Sequence, residues 1–328
     1  MSSRRFRDSP PDPPGDHPRA SVELRFHGSL NDFLPDTLRD ATLRRRIAGQ
    51  PAVKDVLEAA GVPHPEIALV LVNGAPVDLG HRLAPDDRVA AYPAGWRGPA
   101  FPPVSDAPSP PAGEARFVLD GHLGRLAAYL RMCGFDTAYR HDAGDDELAR
   151  IAASDQRILL TRDVGLLKRS VIRRGAYVRG DRPPDQLVEV LGRFDLVGLV
   201  RPFARCLRCN GSLEPADRES VQLEVPPRVY REQESFRRCA ACGGIYWRGS
   251  HHARMTRLLA HALAAASGPE RVQPGEPAVP PGETRPGAPP APPGETETGR
   301  SGSAGTLTNG SGASGGSGPP SPHCGRRA

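Results

Sequence analysis

The chain has 328 residues, with 43 Lys and Arg against 38 Asp and Glu and a formal net charge of +5. No run of about 18 apolar residues exists, which excludes a helical membrane span, and the N-terminus MSSRRFRDSPPDPPGD lacks the apolar core of a secretory signal. The chain is therefore read as cytoplasmic, with no membrane partner.

Gly and Pro crowd at the two ends and in one central stretch, and this divides the chain. Residues 1–20 are polar and Pro-rich, and 267–328 consist largely of Gly, Pro, Ser, Thr and Glu. Neither segment has enough apolar side chain to offset its ordering entropy, so both are expected to be disordered.

Residues 21–97 are expected to form a small α+β domain. Val22 to Phe26 alternates with period two, as a strand does. Pro51 to Ala60 reads as a helix: Pro sits in the first turn, Val53, Val56, Leu57 and Ala60 make an apolar stripe, and Gly61 stops it. Ile67 to Val72 is a buried strand, followed by the Asn73-Gly74 hairpin turn and short strands at Pro76 to Leu79 and Arg88 to Tyr92. Strand, helix and late hairpin predict a β-grasp fold. The segment VLVNGAPVDLGHRLAPDDRVAAYP resembles the C-terminal half of ubiquitin-like sulfur-carrier domains. Those proteins act through a free C-terminal Gly-Gly. Here Gly95-Trp96-Arg97-Gly98 stands at that place, and the chain runs on for 230 residues. The resemblance thus implies the fold without sulfur transfer or conjugation, and a platform for docking a protein partner or nucleic acid.

Residues 98–115 form a Pro-rich linker, semi-rigid and extended. Strand and helix patterns then alternate through 116–202. Arg116 to Asp120 is an apolar strand ending in an acid, and Leu123, Leu126, Ala127 and Leu130 follow at helix spacing until Gly134. Asp136 to Arg140 is a second strand, Asp145 to Ala153 a helix, Arg157 to Thr161 a third strand and Val164 to Val171 a helix. Ala176 to Val178 and Pro183 to Leu191 close the series as strand and helix. Alternation at this spacing predicts a parallel sheet covered by helices.

Open α/β sheets present their active sites at the carboxyl ends of their strands. Asp120 ends the first strand, Asp145 and Asp146 open the helix after the second, and Asp163 follows the third. Clustered carboxylates suit Mg²⁺ or Mn²⁺, which activates water against a phosphodiester. Taken singly, Asp145 and Asp163 read more readily as helix caps than as metal ligands; it is the three junctions together that favour a site. From Arg162 to Arg182 the chain carries seven cations against two acids. Arg162, Lys168, Arg169, Arg173 and Arg174 are candidates for phosphate contact, as are Arg205, Arg208, Arg237 and Arg238 further along the chain; a solvated basic face explains the charge of the 162–182 segment equally well.

Residues 203–266 hold a Cys-paired module and a final helix, 251–266. Cys206 and Cys209 form one C-x2-C pair and Cys239 and Cys242 a second, with 29 residues between the pairs. Two such pairs complete a tetrahedral structural zinc site; redox pairs or four buried thiols are the alternatives. Asn210-Gly211 and Gly243-Gly244 supply tight turns after each pair. Val221 to Val225 and Val229 to Phe236 are expected to form a hairpin around Pro226-Pro227 within the long gap. His251 and His252, close after Cys242, are alternative metal ligands but read as helix N-terminal residues and candidates for substrate contact; Cys133 reads as a small buried hydrophobe, and Cys324 has no assigned role.

The stretch FVLDGHLGRLAAYLRMCGFDTAYRHDAGDDELARIAASDQRILLTRDVGLLKR resembles PIN-like ribonucleases, and more narrowly the mut-seven C-terminal RNase domain family. CLRCNGSLE and CAACGGIYWRGSHHARM resemble the zinc ribbon that follows the core in that family, which often carries a ubiquitin-like domain in front. The resemblance implies a three-layer PIN-like domain that hydrolyses RNA with Mg²⁺ or Mn²⁺ on Asp120, Asp145 and Asp163. Asp181 and Asp185 are the candidates for the family's fourth acid. A non-catalytic RNA-binding adaptor with the same fold is the alternative.

Overall fold

The computed structural model describes residues 20–94, 96 and 115–267. The N-terminal segment, the Pro-rich linker and the tail with Cys324 lie, save for bordering positions, outside the described residues.

The first domain contains β1 (Ser21–Phe26), β2 (Thr42–Arg46), α1 (Val53–Ala59), β3 (Ile67–Val72), β4 (Ala75–Val77) and β5 (Arg88–Pro93). Its sheet order is β2-β1-β5-β3-β4. β1 and β5 pair in parallel at the centre, with antiparallel pairs on either side, as in a β-grasp fold. α1 buries Val53, Val56 and Leu57 against Val22, Leu24, Phe26, Val70 and Val89. Asn73 and Gly74 have φ of 50° and 84°, the left-handed pair that a two-residue hairpin turn requires. β2 has no counterpart in the sequence reading. Its TLRRR segment lacks apolar alternation because it is an exposed edge strand, and its arginines discourage edge-to-edge pairing.

The second domain alternates β6 (Arg116–Leu119), α2 (Gly124–Met132), β7 (Asp136–Tyr139), α3 (Asp145–Ser154), β8 (Ile158–Thr161), α4 (Val164–Leu167), β9 (Gly175–Tyr177) and α5 (Pro183–Arg193). The strands are all parallel, in the order β7-β6-β8-β9. Strand residues alternate between two cores, as the pleat requires. Phe117, Leu119, Ile158 and Leu160 meet α2 and α5 on one face. Val118 and Leu159 meet Leu148, Ala152, Leu166 and Leu167 of α3 and α4 on the other. α4 is shorter than the expected Val164 to Val171. The chain turns after Leu167 through the bonds Arg169 N–H to Leu166 O and Ile172 N–H to Arg169 O, which bring it back to β9.

The ribbon is an antiparallel sheet of β10 (Leu213–Ala216), β11 (Phe236–Cys239) and β12 (Ile245–Trp247). The expected hairpin around Pro226-Pro227 is corrected. The gap holds two short helices, α6 (Arg218–Val221) and α7 (Pro227–Glu232). Pro227 occupies the first turn of α7, where its missing N–H costs no bond. Val221 and Val225 lie four residues apart and pack together on Phe236, instead of alternating along a strand. α8 (Ser250–Ser267) then leaves the ribbon and places Leu259, Ala262 and Ala266 in the core formed by Leu187, Val190 and Leu191 of α5.

The β-grasp domain packs on the β9 edge of the second domain. Glu66, its side chain fully buried, accepts hydrogen bonds from Tyr177 N–H at 2.7 Å, Arg193 at 2.9 Å and Arg179 at 3.1 Å. Arg179 also reaches Asp32 at 2.8 Å and lies over the Phe33 ring. The His64 Nε2 donates to the Ile172 carbonyl at 2.7 Å.

Candidate active site and four-cysteine centre

The strand order places the ends of β7, β6 and β8 side by side. The sheet reverses direction of growth between β6 and β8, and open parallel sheets form their ligand crevices at that point. Asp120 follows β6 and Asp163 follows β8 on either side of this junction; Asp145 opens α3 beyond β7.

Asp120 is buried, with 8% of its surface exposed. Its Oδ1 accepts His122 N–H at 2.9 Å; its Oδ2 accepts the Thr161 hydroxyl at 2.5 Å and Arg162 N–H at 3.0 Å. The same Thr161 oxygen accepts Asp163 N–H at 2.9 Å, so one hydroxyl couples the two acidic junctions. Asp163 caps α4 through Oδ1, which accepts Gly165 and Leu166 N–H. Its Oδ2 and both oxygens of Asp145 accept no hydrogen bond from the described residues, and both residues are exposed. Gly121 has no room for a side chain: a Cβ there would stand 2.6 Å from the His141 carbonyl oxygen. This close approach holds the loops after β6 and β7 together beside Asp120.

The remaining acids are paired. Asp146 binds Arg169 at 2.5 Å, Asp185 binds Arg182 at 2.9 Å, and Asp181 binds Arg162 at 3.1 Å. Of the basic candidates, Arg162 therefore stands between Asp120 and Asp181, through its backbone and its guanidinium respectively. Lys168 donates to the Glu58 carbonyl of the β-grasp domain at 2.7 Å. Arg173 is exposed and Arg174 half-buried.

The four cysteines converge. Their sulfurs all lie within 4.8 Å of one another, with 3.7 Å between Cys206 and Cys242 and 3.4 Å between Cys209 and Cys239. A tetrahedral ion with metal–sulfur bonds of ~2.3 Å needs sulfurs about 3.8 Å apart, so the set fits zinc. Among the described residues no other group of three His, Cys, Asp or Glu comes this close, the three catalytic candidates included. The two halves are built alike. Cys206 N–H bonds Gly211 O and Cys239 N–H bonds Gly244 O, while Asn210 N–H returns to Cys206 O and Gly243 N–H to Cys239 O. Asn210 and Gly243, equivalent in the two knuckles, have φ of 70° and 71°.

Burial works to raise the Cys206 thiol. Hydrogen bonds from the Tyr246 hydroxyl, 3.0 Å away, and from the Cys209 and Arg208 amides outweigh it and bring the thiol down to about 6. Cys133 carries no such donors, and burial alone pushes it up to about 12; it is an inert core residue, as read from sequence.

The first knuckle is locked to the second domain. Arg131 donates to Thr137 O and to the carbonyls of Leu207 and Arg208. Asn210 accepts Thr137 N–H at 3.0 Å and donates to Asp136 at 2.7 Å. Arg131 and Asn210 have no signature in the sequence beyond a helical position and a turn. Among the described residues no helix is long and apolar enough to cross a membrane.

Fold and centres together define a two-domain protein in which a β-grasp module precedes a parallel α/β domain with a four-cysteine ribbon. Residues 115–259 match the Mut7-C RNAse domain and residues 19–97 match the Mut7-C ubiquitin domain. The chain thus carries a Mut7-C RNase domain preceded by its ubiquitin-like domain. Two solved structures are similar to it. One is the H. volcanii small archaeal modifier protein 1, 25% identical over 23% of this chain and 97% of that chain, with a TM-score of 0.19. The other, SAMP1 from Haloferax volcanii, is 23% identical over 24% of this chain and 99% of that chain, also with a TM-score of 0.19. No curated protein matches the chain.

Proposed function

We propose that this chain is a metal-dependent ribonuclease whose RNA phosphodiester hydrolysis is carried by Asp120, Asp145 and Asp163. The observation that supports the reading is that Asp120 and Asp163 follow the adjacent parallel strands β6 and β8, while Asp145 opens the helix that follows β7. Oxygen donors with unused lone pairs on Asp145 and Asp163 suit a hard divalent cation that keeps part of its water shell. Mg²⁺ or Mn²⁺ held there would neutralise phosphate charge and acidify an attacking water. Thr161 fixes the Asp120 carboxylate by donating to it and the Asp163 backbone by accepting from it. Arg162, Arg173 and Arg174 would hold the RNA backbone. The four-cysteine centre would hold a structural zinc ion.

One observation favours the alternative, a non-catalytic RNA-binding adaptor. Both oxygens of Asp120 are already engaged, by His122, Thr161 and Arg162. A cleavage assay separates the two. Wild type incubated with unstructured RNA and Mg²⁺ or Mn²⁺ should cleave it, and Asp120→Asn should not. Absence of metal-dependent cleavage by zinc-replete wild type across varied RNAs would establish the adaptor instead. The β-grasp domain is proposed as a docking platform for a protein partner.

A further inference from the structure

We propose that the apolar pocket between the ribbon sheet and the start of α8 binds one unstacked nucleobase of a single-stranded RNA. The proposal rests on the reading of this chain as an RNA-acting protein, and it names a second contact remote from the acids. The pocket has a volume of about 630 Å³, within the range of small-ligand sites. Phe203, Phe236, Tyr246 and Trp247 line it. Every base offers a π-face, so aromatic walls hold unstacked bases with little regard to sequence.

The charge of the lining complements a nucleotide. Arg205, Arg237 and Arg248 contribute to it, and no carboxylate does. Arg205 donates to the carbonyls of Gly134 and Asn210, and Arg237 to those of Phe203 and Leu213. These neutral acceptors fix the guanidinium groups and leave their charge in place. Arg248 is exposed and forms no ion pair among the described residues. A flat ring carrying a phosphate matches this lining better than an uncharged aromatic peptide side chain does.

Phe203 gives an independent indication. Its φ is 57°, a region that a bulky side chain seldom occupies. The conformation is held from both sides, by Phe203 N–H to Met132 O at 2.8 Å and by Arg237 donating to Phe203 O at 2.9 Å. The ring is thereby set 4.2 Å from His252 at the pocket wall. Maintained strain of this kind gathers where a side chain must occupy one position.

The ribbon joins the α/β domain through Asp136 and Thr137, where β7 begins. The acids follow the strand ends, at the opposite border of the sheet. A base in the pocket would thus anchor the RNA away from the scissile phosphate.

The test uses the full chain with Trp96→Phe, which leaves Trp247 as the reporter of the two tryptophans. An adenosine octamer is titrated without added divalent metal. A saturable change in Trp247 fluorescence is expected, with an RNA duplex of equal length binding at least about tenfold more weakly because its bases are stacked. Phe203→Leu should weaken octamer binding about tenfold, and Arg248→Ala should lower the salt slope by roughly 0.7. Zinc content and melting temperature report the fold. Should Phe203→Leu lose zinc, the exposed Arg248→Ala decides the matter alone. Unchanged affinity in the folded variants overturns the proposal, as does saturation by an acidic aromatic peptide in place of RNA. Octamer binding that needs Phe203 in a wild type that cleaves nothing keeps the pocket and removes the nuclease. Cleavage that needs Asp120, with binding indifferent to Phe203, does the reverse.

Discussion

Replacing Glu66 probes the union of the two domains. Its carboxylate is fully buried between Arg179, Arg193 and the Tyr177 amide. Burial alone would raise its pKa; Arg193 and Arg179, with the Tyr177 N–H, outweigh burial and hold it below the ordinary value of 4.5. Removing one partner of a buried pair costs about 3–5 kcal/mol because the other charge is stranded. Arg179 would keep Asp32 at 2.8 Å. Arg193 has no second carboxylate among the described residues, and its Nε is already buried without a partner. Glu66→Ala should therefore fall near the lower end, about 3 kcal/mol. Glu66→Gln keeps an acceptor and loses the charge, at about 1.5–2 kcal/mol. At about 2–4 °C per kcal/mol for a body of this size, Glu66→Gln should melt roughly 3–8 °C lower. The assay is thermal denaturation of wild type and Glu66→Gln from pH 8 to pH 3. A depressed carboxylate contributes stability above its unfolded pKa and loses it as pH falls through the folded one. The gap between the two proteins should hold steady above about pH 5.5 and shrink below 4.5. A gap that is absent at neutral pH, or that does not shrink in acid, would refute a charge-based lock.

Further outcomes follow from the same geometry. Asp120→Asn and Asp163→Asn should each lower metal-dependent RNA cleavage by about 100-fold or more, with binding changed little because phosphate contacts dominate affinity; gel-based cleavage and filter binding read the two. Purified protein should contain about one zinc per chain, and Cys206→Ser or Cys239→Ser should release it and unfold the ribbon; elemental analysis finding no zinc in folded wild type would end that reading. Arg131→Ala should strip donors from the carbonyls of Thr137, Leu207 and Arg208, costing about 2–3 kcal/mol, and amide exchange around Cys206 should accelerate.

What the sequence made legible depended on range. Period-two and helix-period patterns identified β1, β3, β6 and β8 and the helices α1, α2, α3 and α5 because each buries a clear apolar set. The C-x2-C pairs are legible because a four-thiolate centre built from two tight knuckles constrains local spacing. β2 is not legible in the sequence because an edge strand needs no apolar face, and TLRRR has none. The α6–α7 segment departs from the strand expectation because Val221, Val225 and Phe236 suit strand or helix until tertiary packing decides between them. The Lys168 and Arg179 charges, grouped in sequence with the basic segment, turn to the β-grasp domain. No local pattern announces such partners, since Glu58, Asp32 and Glu66 lie more than 100 residues away.

The placement of these partners bears on function. An open four-stranded sheet has two exposed edges, each offering unpaired backbone groups. Here both are engaged by side chains from the flanking modules. Glu66 of the β-grasp domain accepts Tyr177 N–H on β9, and Asn210 of the ribbon accepts Thr137 N–H on β7. Helices cover both faces, through the clusters around Phe117 and Val118. Asp145 and Asp163 stand exposed beyond the carboxyl ends of β7 and β8. Each flanking module thus holds one edge strand, and the exposed acids lie beyond the carboxyl ends of the strands. On the ribonuclease reading, the scissile phosphate must approach from the side where these carboxylates stand.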